Sequence, residues 1–235
     1  MDEISRRKLL THAGLALAGS ALILRAEALP TAAVHHDDIE DQLPKEQVPD
    51  LEAPASPTYV IRSPYYIPGA PNRAKMGLPM DSGEVLVVTG RVWAFDTKRP
   101  LPGATLELFQ VDSQGIYAMK KDDFRNRVKF QTDETGAYEF ETLHPVGYFL
   151  KDQAGKKFRF RRPHIHYEVR VPGYKILATE LYFKGDSDTE EGMTDDWAHE
   201  SLIMPVEKVE GRKGSYGRVV FDIVLEPGEG YRTNT

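Results

Sequence analysis

The sequence predicts an all-β domain, an antiparallel β-sandwich whose long loops carry the functional residues, on three observations. Apolar and β-branched residues recur at period two in short segments from about Glu84 onward, the spacing that puts alternate side chains on one face of a strand. Clusters drawn from the 19 Gly and 16 Pro punctuate those segments with turn geometry. Helix start and stop signals are poor after residue 30. Many short strands so punctuated are the pattern of a sandwich.

The strand candidates follow in order. Glu84 to Phe95 runs apolar, Lys98-Arg99-Pro100-Leu101-Pro102-Gly103 breaks it, and Ala104 to Val111 resumes with Leu106 and Leu108 at period two, which reads as a hairpin. Val128 to Thr132 and Tyr138 to Leu143 flank Asp133-Glu134-Thr135-Gly136, a turn whose Gly can take positive φ, and read as a second pair. Further strands are expected at Arg159 to Val171, Leu177 to Phe183 and Gly217 to Leu225, with Pro172-Gly173 turning between the first two.

This domain is expected to span residues 58–235. Ahead of it, residues 1–28 read as an export signal of the twin-arginine type. Ser5-Arg6-Arg7-Lys8-Leu9-Leu10 precedes the apolar run Ala13 to Leu24, and Ala26-Glu27-Ala28 has the small-x-small form of a cleavage site. The apolar run is too short for a membrane span. The processed protein is therefore expected in the periplasm or outside the cell, without stable membrane insertion; a general secretory signal or an uncleaved anchor is the competing reading. Residues 29–57 are rich in Pro, Ala, Asp and Glu, the composition of a linker or a surface arm. Such an arm could wrap a neighbouring copy, which leaves a homo-oligomer open. His35 and His36 within it are expected to be solvated rather than metal-bound.

Composition narrows the chemistry. A length of 235 residues, 40% hydrophobic and 28% charged, fits one sizeable globular domain. A net charge of −6, with no Lys/Arg block beyond the first dozen residues, argues against nucleic-acid binding. The absence of cysteine excludes a disulfide framework, a thiolate metal site and a Cys nucleophile. Any chemistry must use oxygen and nitrogen.

His164-Ile165-His166 is the sharpest local signal, because alternate residues of a strand share a face and can bring two imidazoles to one ion. Two such histidines also occur as ordinary core or surface residues. The basic cluster Arg161-Arg162-Pro163 just upstream is unusual beside a divalent site unless anions balance it. Two of the 11 tyrosines sit where a strand gives way to a glycine turn, in Gln114-Gly115-Ile116-Tyr117 and Pro145-Val146-Gly147-Tyr148. Each reads either as a core aromatic or as a phenol that a trivalent iron would deprotonate and hold. Asp195, Asp196, Trp197 and His199 read as a loop with turn chemistry rather than as a metal site.

Taken together, several segments resemble the intradiol ring-cleavage dioxygenase family, which includes catechol 1,2-dioxygenase and protocatechuate 3,4-dioxygenase. The likeness runs from Ser63 to Asp186. It includes Ser63-Pro64-Tyr65-Tyr66-Ile67-Pro68-Gly69-Ala70-Pro71-Asn72-Arg73, the strand Gly90-Arg91-Val92 with Leu101-Pro102-Gly103-Ala104, and Val111-Asp112-Ser113-Gln114-Gly115-Ile116-Tyr117. Thr132-Asp133-Glu134-Thr135-Gly136-Ala137-Tyr138, Pro145-Val146-Gly147-Tyr148, Arg161 through His166 and Leu177 to Asp186 complete it. Several motifs in the right order are more specific than any one of them.

The resemblance implies an oxidoreductase of aromatic catabolism that opens a catechol-type ring between its two hydroxyl-bearing carbons. Both atoms of O2 would enter a muconate-type dicarboxylic acid, with Fe(III) as cofactor. It implies that Tyr117, Tyr148, His164 and His166 bind Fe(III). Tyr117 matches the equatorial tyrosinate, and Tyr148 the axial one that leaves on substrate binding and acts as a general base. Arg161 matches the arginine that stabilises developing negative charge. Glu180 falls where the family has Gln, which adds charge and removes an amide donor; paired with Arg161, it would position that residue while partly neutralising it. Pro64 and Tyr65 fall in the segment lining the substrate pocket. Catechol, protocatechuate, hydroxyquinol and lignin-derived fragments share the chelating edge, so the ring itself stays open. Two other readings compete: a non-catalytic exported β-sandwich binding module, and a zinc or copper site using His164 and His166 with a carboxylate such as Glu180.

Overall fold

The computed structural model describes residues 62–77, 82–120, 122–211 and 214–232. The export signal, the arm to residue 57 and the His35-His36 pair lie outside the described residues. The chain forms short strands: β1 (Val85–Ala94), β2 (Thr105–Phe109), β3 (Arg127–Gln131), β4 (Ala137–Leu143), β5 (Tyr148–Lys151), β6 (Lys157–Arg161) and β7 (His164–Arg170). There follow β8 (Leu177–Phe183), β9 (Thr189–Glu190), β10 (Met193–Thr194), β11 (Ile203–Met204), β12 (Glu207–Gly211), β13 (Gly214–Val220) and β14 (Ile223–Leu225). The helical content among the described residues is a 3-10 turn at Glu200–Leu202, and no helix there is long and apolar enough to cross a membrane.

Two sheets carry the fold. In the first, β1 is central, with β4 antiparallel to it and β13 and β14 parallel to it, while β12 flanks β13. The second has the order β11-β8-β7-β2-β3. Both sheets alternate, and their apolar faces meet in one core. Leu86, Val88, Val92, Phe140, Val219 and Ile223 from the first sheet pack with Leu106, Leu108, Val128, Ile165, Val169 and Leu181 from the second. Each such side chain contributes about 1.5–3 kcal/mol of apolar transfer on burial. Ile165, Tyr167 and Val169 of β7 point into this core. His164, His166, Glu168 and Arg170 therefore line the opposite face of the same strand.

The sandwich is mixed rather than purely antiparallel, since β11 also runs parallel to β8. The expected β1/β2 hairpin does not form. The connection begins as one, with Trp93 bridged to Pro100, but the chain then crosses to the other sheet, where β2 pairs with β3 and β7. The second expected pair divides in the same way, β3 joining β2 and β4 joining β1. Strands that face each other across a core share the alternation of strands in a hairpin, so the pattern does not tell them apart. The stretch from Arg159 to Val171 is two strands, because Pro163 lacks the N–H a continuous ladder needs: β6 pairs with β5, and β7 with β2 and β8. The β7/β8 turn at Pro172-Gly173 forms as expected. The stretch from Gly217 to Leu225 keeps one register along β1, Leu86 opposite Gly217 and Val92 opposite Ile223. It is interrupted where the Asp222 carboxylate accepts from Arg91 N at 2.7 Å.

Gly90 explains how that interruption fits. A Cβ there would lie 2.0 Å from the Phe221 carbonyl oxygen, which also accepts from the Tyr138 hydroxyl at 2.5 Å. Because the obstacle is backbone, Gly90→Ala is expected to destabilise the fold by about 3 kcal/mol, the upper range for overpacking, lowering Tm by roughly 6–12 °C in a domain of this size. Thermal unfolding measures it, and an unchanged Tm would contradict the close approach.

Candidate metal centre

Three elements deliver four side chains to a common point on the outer face of the second sheet, β7 supplying two of them. Beyond β2 the chain turns at Asp112, whose carboxylate accepts from Gln114 N at 2.9 Å and Ile116 N at 3.0 Å, while Gly115 takes φ 75°. That turn presents Tyr117. Arg127, 2% exposed, holds the next residue by donating to the Ala118 carbonyl at 2.8 Å. Tyr148 opens β5 opposite Arg161 on β6, and a Cβ on the preceding Gly147 would lie 2.5 Å from the Phe160 ring. His164 and His166 come from β7.

The four sequence-predicted ligands meet. The Tyr117 hydroxyl lies 2.9 Å from His166 Nε2, 3.3 Å from His164 Nε2 and 3.2 Å from the Tyr148 hydroxyl. The two Nε2 atoms are 3.2 Å apart. His164 Nδ1 is 2.6 Å from the Arg162 carbonyl, an acceptor only, so this Nδ1 carries the proton and His164 Nε2 is bare. His166 Nδ1 lies 3.2 Å from Glu180 Oε1, an electrostatic contact. Burial holds both imidazoles neutral, His164 below and His166 well below its ordinary pKa. Tyr117 can donate its one proton to only one of them. Two ring nitrogens facing each other beside a phenol oxygen form a donor set that suits a cation, with spacings near those of ligands about 2 Å from a shared ion.

Glu180, Arg161 and Asp195 form the adjoining wall. Arg161 donates to Glu180 Oε2 at 2.7 Å, to the Tyr182 hydroxyl at 3.0 Å and, through Nε, to Asp195 Oδ2 at 3.1 Å. Tyr182 also donates to Glu180. Burial opposes the Glu180 carboxylate, and the facing histidines, Arg161 and the Tyr182 hydrogen bond hold its pKa well below the ordinary range; with the imidazoles neutral, the permanent charge among them is that of Arg161. Burial likewise opposes the Arg161 charge, and Glu180, Tyr182 and Asp195 together raise its pKa. His164, His166 and Glu180 offer atoms within 4.8 Å of one another. Glu180 Oε2, however, accepts from Arg161 and Tyr182, and Oε1 lies on the Nδ1 side of His166 at 3.2 Å, the place of a group that orients a ligand.

Aromatic rings wall the cavity in front. Tyr65 stacks on Tyr117 with centroids 4.1 Å apart, and Phe109 stacks on His166 at 4.4 Å. Pro64, Leu150 and Trp197 complete the apolar lining of a cavity of about 160 Å³ that opens to solvent. Sequence reasoning missed Phe109, Arg127 and Tyr182, which look like plain strand residues. Asp195 does have the expected turn chemistry, accepting from Trp197 N at 3.1 Å through Oδ1; its other oxygen reaches the site.

The phenols set a pH dependence. Burial and the neighbouring Tyr148 push Tyr117 well above its ordinary pKa, and burial, opposed by Arg161, pushes Tyr148 up to about 12. Both are protonated at neutral pH in the metal-free protein, whereas the imidazoles are already neutral. Binding of a trivalent cation must therefore release phenol protons, and its apparent affinity is expected to rise with pH between 6 and 8, by up to about tenfold per unit for each proton released. Competition titrations of Fe(III) at several pH values, with unbuffered proton-release measurements, test this; an affinity indifferent to pH would remove the tyrosines from the ligand set.

Comparisons with known proteins agree on one family. Residues 56–227 match the family model described as Dioxygenase. Catechol 1,2-dioxygenase 2 of Acinetobacter lwoffii is 32% identical over 173 residues, 66% of this chain and 61% of that protein. The 6-chlorohydroxyquinol 1,2-dioxygenase of Cupriavidus pinatubonensis is 28% identical over 71% of this chain and 63% of that protein. This chain thus spans about three fifths of the length of the curated relatives it matches. Among solved structures, 3-chlorocatechol 1,2-dioxygenase of Rhodococcus opacus 1CP superposes with a TM-score of 0.65 at 26% identity, covering 76% of each chain. The dioxygenase domain of a dioxygenase carbohydrate-binding protein fusion from Streptomyces sp. SirexAA-E gives 0.58 at 27% identity, over 73% of this chain and 98% of that one. On these matches, the chain belongs to the intradiol ring-cleavage dioxygenase family.

Proposed function

We propose that this chain is an Fe(III)-dependent dioxygenase that opens an uncharged catechol between its hydroxyl-bearing carbons, inserting both atoms of O2 to give a muconate-type dicarboxylic acid. The observation that carries this reading is the meeting of two imidazole nitrogens, 3.2 Å apart, with the Tyr117 oxygen. A non-catalytic sandwich has no use for that buried cluster. Glu180 Oε2 is taken by Arg161 and Tyr182, and Oε1 stands 3.9 Å from His164 Nε2, farther than the Tyr117 oxygen, which weighs against a zinc or copper site built on two histidines and a carboxylate. When bound by Tyr117, Tyr148, His164 and His166, iron(III) supplies the chelation and charge transfer that let a closed-shell catechol react with O2.

The protein's own groups do the rest. Tyr117 is buried and pinned by its stacked neighbour, whereas Tyr148 is only half-buried at the start of a two-stranded ribbon, so Tyr148 would be the less tightly held of the two phenol ligands. With a pKa near 12, its oxygen is basic enough to take up a catechol proton. Arg161, permanently charged and lining the cavity, lies where negative charge grows on the opening ring. Tyr65, Phe109 and Trp197 hold the flat ring and exclude water. In this reading the leader over residues 1–28 places the reaction outside the cytoplasm.

Charge accounting favours neutral rings. The charged residues lining the cavity are Arg161, Glu168 and Glu180. Arg161 already answers two carboxylates, Glu180 and Asp195, and Glu168 is answered by Arg62 and Arg170. A ring carboxylate would meet a net negative wall. At roughly 6 Å and an effective dielectric of about 20, one uncompensated charge costs about 3 kcal/mol, or about 100-fold.

Two expected outcomes follow from these assignments. Iron-loaded protein has a visible phenolate-to-iron band that shifts on adding catechol; Tyr117→Phe and Tyr148→Phe each weaken it, and Tyr148→Phe lowers kcat by roughly 100-fold or more, the range for losing a general base. Optical spectra with oxygen uptake and product mass test this, and a colourless iron-loaded protein, or one inert to every catechol, sinks the reading. On a substrate panel, kcat/KM for catechol exceeds that for protocatechuate by about 100-fold; comparable values would overturn the charge argument alone.

A further inference from the structure

Strand β6 sets Lys157, Arg159 and Arg161 at alternate positions, and the segment from Thr189 to Trp197 answers each one. Lys157 pairs with Glu191 at 2.6 Å, Arg159 with Asp196 at 3.0 Å and Arg161 with Asp195 at 3.1 Å. The cation side chains become less exposed along the row, from 37% to 30% to 7%, and Asp195 is fully buried at 0%. The first two pairs are of the exposed kind that contributes little. The third differs in kind. A buried carboxylate carries a large desolvation penalty, and a neutral amide, with its single acceptor oxygen, could keep one of the two backbone contacts of Asp195. What needs the charge is Arg161.

One carboxylate fixes three things at once. Asp195 Oδ2 accepts from Arg161 Nε and, at 2.9 Å, from the Arg162 backbone N–H; Oδ1 accepts from Trp197 N, and the Trp197 ring covers the Arg161 guanidinium at 4.3 Å. With its Nε edge and one face thus held, Arg161 turns its other edge to Glu180 and Tyr182. We propose that Asp195 is the positioning residue for Arg161, so that the Thr189–Trp197 segment sets where the active-site cation stands. This rests on the catechol-opening reading for its kinetic consequence but not for its structural one.

The test uses the iron-loaded full chain with D195N, R161A and the double variant. D195N is expected to lower kcat for catechol about 10- to 50-fold, with KM changed less than about threefold and Tm within a few degrees. In the R161A background it should lower kcat no further. Ethylguanidinium is expected to restore activity at least tenfold in R161A, and to raise its Tm, but to do neither in R161A/D195N. Should D195N fail to fold, D195E, which keeps the charge but misplaces it, is expected to lower kcat alone and not in R161A. Multiplicative losses in the double variant, or equal rescue with and without Asp195, overturn the proposal. A wild-type enzyme inert to catechols would defeat the functional reading instead, and the ethylguanidinium thermal shift would still decide the role of Asp195.

Discussion

Two neutral imidazoles with ring nitrogens 3.2 Å apart are held at that distance by much of the surrounding structure. The Arg162 carbonyl accepts from His164 Nδ1, which fixes that tautomer, and Glu180 Oε1 stands 3.2 Å from His166 Nδ1. Phe109 stacked on one face of His166 prevents that ring from rotating away. Because the two rings alternate with Ile165, and Ile165 is sealed in the core, neither can leave without unpacking the sandwich. Apolar burial on one face of β7 thus supplies the free energy that keeps an unfavourable polar cluster assembled on the other.

The same face continues as Glu168 and Arg170, and here buried charge is balanced within the wall itself. Arg62 and Arg170 pair with Glu168, Arg170 also pairs with Glu107 at 2.6 Å, and the Tyr66 and Tyr231 hydroxyls donate to these carboxylates. This network is complete in itself, with two cations and two carboxylates. The Arg161 group has one cation and two carboxylates. Its surplus of negative charge sits beside the histidine cluster, where a bound cation would be stabilised and a second anion would not.

Much of this was legible in the sequence because period two survives folding. The strands came from alternation, and His164 and His166 were assigned to one face from the same rule. Partnership between strands was not legible, because Leu106 and Leu108 alternate identically whether β2 lies beside β1 or across the core from it. Tyr117 and Tyr148 were singled out by the glycine before each, and those glycines do mark the turn at Gly115 and the close contact at Gly147. Asp195 was read as a turn former, and half of it is one. Its second oxygen acts across a sequence separation of 34 residues, which no local pattern reports. Tyr182 and Arg127 hide for a related reason: Tyr182 accepts from Arg161 on another strand, and Arg127 donates to the Ala118 carbonyl in the loop that carries Tyr117.

The break at Arg162-Pro163 shows how one local feature can organise the whole site. Without it, Arg159 to Val171 would be a continuous strand in one sheet, and Arg161 would follow the alternation of His164 and His166 at the wrong phase, three residues being an odd step. Proline ends the ladder, so β6 leaves to pair with β5 and carries Arg161 opposite Tyr148. Arg162, between them, donates its backbone N–H to Asp195 and its side chain to the Phe183 and Asp186 carbonyls, and its own carbonyl receives the His164 proton. A single dipeptide therefore changes strand partner, resets side-chain phase and fixes a tautomer. The cation and the imidazoles can face one cavity only because the strand that would have separated them is interrupted.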